Sequence, residues 1–239
     1  MKKAWTLKDV AAHWDSVPDY DGANGKLDSY MRRFTDSAPL FSIPDNALVL
    51  DMDCRTGNGT SFHAKTYPSA KWHCVASASS FEKITRKHLA EEGISADIQQ
   101  LTEFPLPFED EYFDVVLCYE TLEHMPDPEL LIIELSRVLK PGGTFVLTTP
   151  NVLWEPVHLA SAALHFEHGE GPHRMIPRKE IFAGYKKANL NVITEITTVL
   201  IPAGPKWLLK FGRWCEKVLT ERGMRLLGLR RIFICQKYE

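Results

Sequence analysis

No stretch of this chain reaches the roughly eighteen consecutive apolar residues that a membrane-spanning helix requires. The opening MKKAWTLKDV also lacks the apolar core of a secretory signal, so the protein is expected in the cytosol. Charge of one sign is missing as well. With 28 Lys and Arg against 31 Asp and Glu the formal net charge is -3, which argues against nucleic acid as a partner. The five cysteines, Cys54, Cys74, Cys118, Cys215 and Cys235, are odd in number, widely spaced and never arranged C-x-x-C. That excludes a disulfide framework and a zinc ribbon and leaves reduced, mostly buried thiols.

What is present is an ordinary globular composition, 239 residues with 44% hydrophobic and 25% charged side chains, within the range of one α/β domain. Two helical patterns, Leu7 to Trp14 and Leu27 to Phe41, form a helical lead-in over 1–44. Strand and helix then alternate through 45–151. Short apolar strands are expected at Ala47 to Leu50, Lys71 to Ala76, Asp97 to Leu101, Phe113 to Cys118 and Thr144 to Thr149. Between them lie helices from about Ser79, read as an N-cap with Glu82 completing a capping box, and from Pro128 to Leu139, followed by the breakers Lys140 to Gly143. Over 152–239 the pattern loosens to a His-rich loop, a helix near Lys179 to Ala188, strands at Asn191 to Ile201 and Arg231 to Lys237, and a basic amphipathic insert at 206–229. Such alternation predicts a doubly wound, mostly parallel seven-stranded sheet with helices on both faces, forming a single domain over 1–239.

In open α/β sheets a ligand binds beyond the carboxyl ends of the strands, at the point where strand order reverses. Here that directs attention to Asp51 to Gly59, Ser77 to Ser79 and Cys118 to His124, with Gly57 and Gly59 allowing close backbone approach.

The residues at these positions carry a resemblance. LVLDMDCRTGNG is similar to the first motif of class I S-adenosylmethionine-dependent methyltransferases, D-x-G-x-G-x-G. The ordered series LPF, FDVV, LEH, RVLKPGG and TTPN resembles that family's later motifs, so the likeness runs from Ala47 to Asn151. It implies a Rossmann-like methyltransferase fold and methyl transfer to a small-molecule acceptor, with S-adenosylhomocysteine as the product. It further implies cofactor contacts from Asp51, Asp53, Cys54, Arg55, Thr56 and Gly57, from Ser77 and Ala78 at the ribose, from Thr102 and Glu103 near the adenine, and from Cys118 and Tyr119 at the sulfonium.

Asp53 and Arg55 stand where the family has glycines, and Ser77 where it has an acid. Arg55 offers a bidentate partner to a carboxylate, the cofactor's own included. The same substitutions support the rival reading of a degenerate methyltransferase-like protein that acts as a binding or scaffolding partner, or one refitted to a different adenosyl ligand.

Tyr119, His124 and His173 are the catalytic candidates, and Tyr20, His158, His173 and Arg174 the substrate candidates, because they fall on segments expected near the pocket mouth. Glu123 and His124 also read simply as the start of the following helix. The histidines at 158, 165, 168 and 173 read as a solvated or pocket-lining loop rather than as ligands, so no metal is expected. The insert at 206–229 reads either as a helix packed on its own domain or as an interfacial helix that brings the protein to a membrane or a lipid-linked substrate.

Overall fold

The computed structural model describes residues 5–17, 27–158 and 171–238. Its centre is a seven-stranded sheet in the order β3-β2-β1-β4-β5-β7-β6. The strands are β1 (Leu48–Met52), β2 (Lys71–Ala76), β3 (Ala96–Gln100), β4 (Phe113–Tyr119), β5 (Leu139–Pro150), β6 (Leu190–Thr198) and β7 (Arg230–Lys237). The first five run parallel, and β7 is antiparallel to both β5 and β6. Strand order therefore reverses between β1 and β4, where a crevice opens at their carboxyl ends.

The helices are α1 (Leu7–Ser16), α2 (Asp28–Thr35), α3 (Asn58–Ala64), α4 (Ser79–Glu91), α5 (Pro128–Val138), α6 (Arg178–Lys187), α7 (Lys206–Val218) and α8 (Glu221–Leu227). Side chains alternate across the sheet as the period of a strand demands. Leu50, Met52, Val116 and Cys118 enter one core with Leu131, Leu135 and Val138 of α5 and Ile181 and Tyr185 of α6. Val49, Val115, Leu117 and Tyr119 enter the opposite core with Tyr30 and Phe34 of α2. A third cluster joins Val10 and Trp14 of α1 to Phe81 and Leu89 of α4 and to Cys54 and Cys74.

Several boundaries differ from expectation. The long amino-terminal helical pattern divides into α2 and a short 3-10 turn at Ala38–Leu40. Pro39 explains the break, because it has no amide to bond the Thr35 carbonyl and its ring crowds that carbonyl, so an α-helix cannot run through it. Residues 139–143 join β5 rather than prolonging α5. Phe113 pairs with Leu139, the register then shifts, and Lys140 turns back to bind Asp114 at 2.7 Å. Ser79 is not an N-cap. Ala78 holds that position without a side-chain bond, and the cap comes from α1, where Asp15 accepts from the Ser80 amide at 2.8 Å and from the Ser79 hydroxyl at 3.2 Å. Those bonds hold the Asp15 carboxyl below its usual range against the upward push of its partial burial.

Among the described residues no helix is long and apolar enough to cross a membrane. Because Asp15 caps one helix from another, Asp15→Ala should cost about 1 kcal/mol of stability, in line with other lost N-caps. Urea denaturation followed by circular dichroism measures this, and an unchanged midpoint would show that the contact carries no energy.

Candidate functional site

The loop leaving β1 keeps an unusual backbone. Asp53, Arg55 and Gly57 all have positive φ, at 55°, 49° and 82°. Glycine adopts this left-handed region freely, whereas other residues pay roughly 1–2 kcal/mol for it. Thus the backbone at 53 and 55 has a glycine's conformation while the side chains there are an acid and a base. Gly57 then caps α3, and at Gly59 an added methyl group would come within 3.2 Å of both Phe34 and the Asp51 carboxylate.

Asp51 is fully buried and accepts from the Thr60 hydroxyl at 2.6 Å. Burial pushes its pKa up to about 7, opposed by the Thr60 hydrogen bond and assisted by the nearby Asp53 carboxylate. Asp53 is also buried, and its Oδ1 accepts from the Ser77 amide at 3.2 Å. Arg55 donates from Nη2 to the Glu120 carbonyl at 2.9 Å, and its guanidinium carbon lies 4.7 Å from the Trp14 ring. Trp14 packs in turn against Phe81 and His124, with ring centroids 5.7 and 5.2 Å away. Helix α1 therefore covers the crevice, with Arg55 and Trp14 beneath it.

Only a cavity of about 10 Å³ remains among Asp51, Asp53, Cys54, Arg55, Gly59 and Tyr119, bounded on the α2 side by Tyr30, Arg33 and Phe34. That is room for at most one water. S-adenosylmethionine does not fit the crevice in this conformation: the side chains at 53 and 55 occupy the space over the loop that glycines leave open.

A larger cavity of about 320 Å³ adjoins it, sharing Tyr30, Arg33 and Arg55 as a common wall. Its other polar lining comes from Glu120, Glu123, His124, His158 and Arg230. Glu120 carries positive φ at 50° and pairs with Arg230 at 3.2 Å. Against the upward push of burial, the Arg230 and Arg33 charges hold the Glu120 carboxyl below its usual range. Glu123 accepts from the Thr149 hydroxyl at 3.2 Å. His124 is buried, and that burial, together with the Arg55 charge, drives its pKa well below the usual value. Neutral His124 donates from Nδ1 to the Pro172 carbonyl at 3.1 Å, which leaves Nε2 as an acceptor.

The expected residues distribute unevenly. Asp51, Asp53, Cys54, Arg55 and Tyr119 come together at the small cavity, with Ser77 beside Asp53. Thr56 and Ala78 lie close by in the chain without lining either cavity, and Thr56 presents its carbonyl to His88 Nδ1 at 2.7 Å. Thr102 and Glu103 are exposed and line neither cavity. Cys118 is on the wrong face, since strand alternation sends it into the α5 core while Tyr119 faces the crevice. The Tyr119 hydroxyl lies 2.8 Å from His63 Nε2 and within reach of Ser37, and burial pushes its pKa up.

His124 and His158 line the larger cavity, while His173 stands behind them with its ring 5.4 Å from His124 and 6.2 Å from His158. Arg174 points elsewhere, paired with Glu180 at 2.9 Å in a separate surface depression. Glu123 and His124 form a buried 3-10 turn, Leu122–His124, and the next helix starts only at Pro128. Tyr20, His165 and His168 lie outside the described residues, among which no cluster of His, Cys, Asp and Glu could hold a metal. Trp14, Tyr30, Arg33, Glu120 and Arg230 are the contributors that sequence reasoning missed.

The raised pKa of Asp51 has a consequence for stability. An acid whose folded pKa exceeds its unfolded value, near 3.9, stabilises the fold fully below that value and loses the contribution as pH rises towards 7. Asp51→Asn should therefore gain melting temperature relative to the parent between pH 4 and pH 8. A difference independent of pH would show that Asp51 titrates normally.

Comparison with known proteins agrees with this fold. Residues 50–147 match the methyltransferase domain family. A ubiquinone biosynthesis O-methyltransferase of Pasteurella multocida is 34% identical over 113 residues, 43% of this chain and 46% of that protein, so the match spans about half the relative's length. Among solved structures, the cyclase SpnF superposes with a TM-score of 0.73 at 15% identity, covering 98% of this chain and 97% of that one. Geranyl diphosphate C-methyltransferase from Streptomyces coelicolor, solved with S-adenosyl-L-homocysteine, gives 0.70 at 14% identity over 97% of each chain. At such identities these superpositions establish the fold alone. Residues 50–147 are thus similar to the methyltransferase domain family, within a chain that shares the fold of these structures over nearly its whole length.

Proposed function

We propose that this protein is an enzyme that transfers a methyl group from S-adenosylmethionine to a small-molecule acceptor held in the 320 Å³ cavity. The observation that carries this reading is the left-handed backbone at positions 53, 55 and 57, the conformation a glycine-rich cofactor loop adopts, within the segment that matches the methyltransferase domain. A small acceptor is supported by the O-methyltransferase and geranyl diphosphate methyltransferase names of the similar proteins and by a cavity of ligand size. On this reading the crevice opens by withdrawal of α1 and rotation of Arg55 off the Glu120 carbonyl. The reading includes a single domain over 1–239 working in the cytosol, consistent with five free thiols.

The filled crevice favours a second reading, in which Asp53, Arg55 and Trp14 close the site permanently and the larger cavity serves as a binding site. Calorimetric titration separates the two. The double variant D53G/R55G should bind S-adenosylmethionine at least about tenfold more tightly than the parent, a gain of about 1.4 kcal/mol. Absence of binding by both proteins at millimolar cofactor would leave the second reading standing.

The partner surface in this proposal is an anionic bilayer met by α7. Trp207, Phe211, Trp214 and Val218 form one stripe and are 69%, 53%, 59% and 60% exposed. The opposite side is fastened to the domain, where Glu216 binds Arg32 and the Leu200 amide, and where Gly212 is buried against Ile201. Lys206, Lys210, Arg213 and Lys217 form a band beside the stripe, with Arg213 also meeting Asp28. Aromatic residues flanked by basic ones suit the headgroup region of acidic lipid. The protein should float with phosphatidylglycerol vesicles, and the triple variant W207S/F211S/W214S should not. Sedimentation of the parent as a dimer that ignores vesicles would assign the face to a second copy instead.

A further inference from the structure

The arginines around the larger cavity differ in what they meet. Arg230 meets Glu120, and Arg55 meets the Glu120 carbonyl. Arg32, the neighbour of Arg33 in α2, binds both Asp36 and Glu216. Arg33 is only 7% exposed, yet its Nε donates to nothing but the Tyr30 carbonyl of its own helix, at 3.1 Å. Its guanidinium lies 4.2 Å from the centre of the Tyr30 ring, and among the described residues no carboxylate comes within salt-bridge distance of it. Glu120 answers its charge only from beyond salt-bridge distance, and a buried guanidinium held that way favours a ligand that brings an anion of its own.

The surroundings indicate what that ligand looks like. Arg33, Arg55 and Arg230 outnumber Glu120 and Glu123 along the wall, and His124 is neutral. The remaining wall is apolar, built from Pro150, Trp154, Val157, Pro202 and Leu229. The cavity thus sets an apolar patch beside a guanidinium with no carboxylate in direct contact.

We infer that the cavity binds an amphiphilic anion, a small molecule with an apolar body and a carboxylate or phosphate group held by Arg33 in a planar, two-toothed contact. The guanidinium suits either group, because two parallel N–H donors match two oxygens of both. This deepens the methyl-transfer reading by giving its acceptor a chemical class. It needs no methyl donor, so it is tested without one, and failure of either idea leaves the other intact.

The experiment is calorimetric titration of the full chain, without cofactor, with benzoate, phenyl phosphate, the neutral isostere benzamide and L-methionine. Benzoate or phenyl phosphate should bind at least about tenfold more tightly than benzamide, the stronger of the two identifying the anionic group as carboxylate or phosphate. Arg33→Gln should abolish that preference and leave benzamide binding unchanged, while Arg33→Lys should retain part of it as a point charge. Melting temperatures of the parent and of Arg33→Gln serve as the folding check. Equal binding of benzoate, phenyl phosphate and benzamide would overturn the inference, as would an anion preference that survives Arg33→Gln. Arg33-dependent binding of L-methionine with benzoate silent would also overturn it, by assigning the guanidinium to the amino-acid end of the cofactor.

Discussion

The Arg55 guanidinium is clamped between the Trp14 ring and the Glu120 carbonyl, and the state of the crevice follows from that clamp. It joins α1, the loop after β1 and the end of β4 in one contact, directly above the point where strand order reverses. While it holds, the loop has a glycine's backbone without a glycine's empty space. Stacking of a cation on an indole is worth about 0.5–2 kcal/mol depending on desolvation, so the closed arrangement is favoured by an amount that ligand binding can exceed.

Around that clamp the charges are arranged in depth. Asp51 sits lowest, its carboxyl half titrated near neutrality by burial. Asp53 reaches sideways to the Ser77 amide, and Glu120 is kept ionised by Arg230 across the larger cavity. Neutral His124 separates these carboxylates from the ring stack of His173 and His158.

The sheet was legible in the sequence because short apolar runs and turn residues alternate cleanly from Leu48 to Pro150. The motif series located the crevice for the same reason. Element ends were less legible, since they depend on partners distant in the chain: Asp15 capping α4, or Lys140 drawn to Asp114. Cys118 is a different case, because strand alternation alone separates its face from that of Tyr119. Arg33 was hidden for a physical reason. An Arg-Arg pair on an amphipathic helix has the pattern of a solvated face, and only tertiary packing reveals that both are buried.

Those two arginines of α2 work in opposite directions. Arg32 reaches outward to Glu216, which roots the aromatic-faced helix α7, while Arg33 reaches inward to the chamber over the sheet. One peptide bond links them on a short, stiff helix. Adjacent residues of one helix thus hold the seat of α7 and part of the chamber wall, so a substitution at Arg32 disturbs both at once.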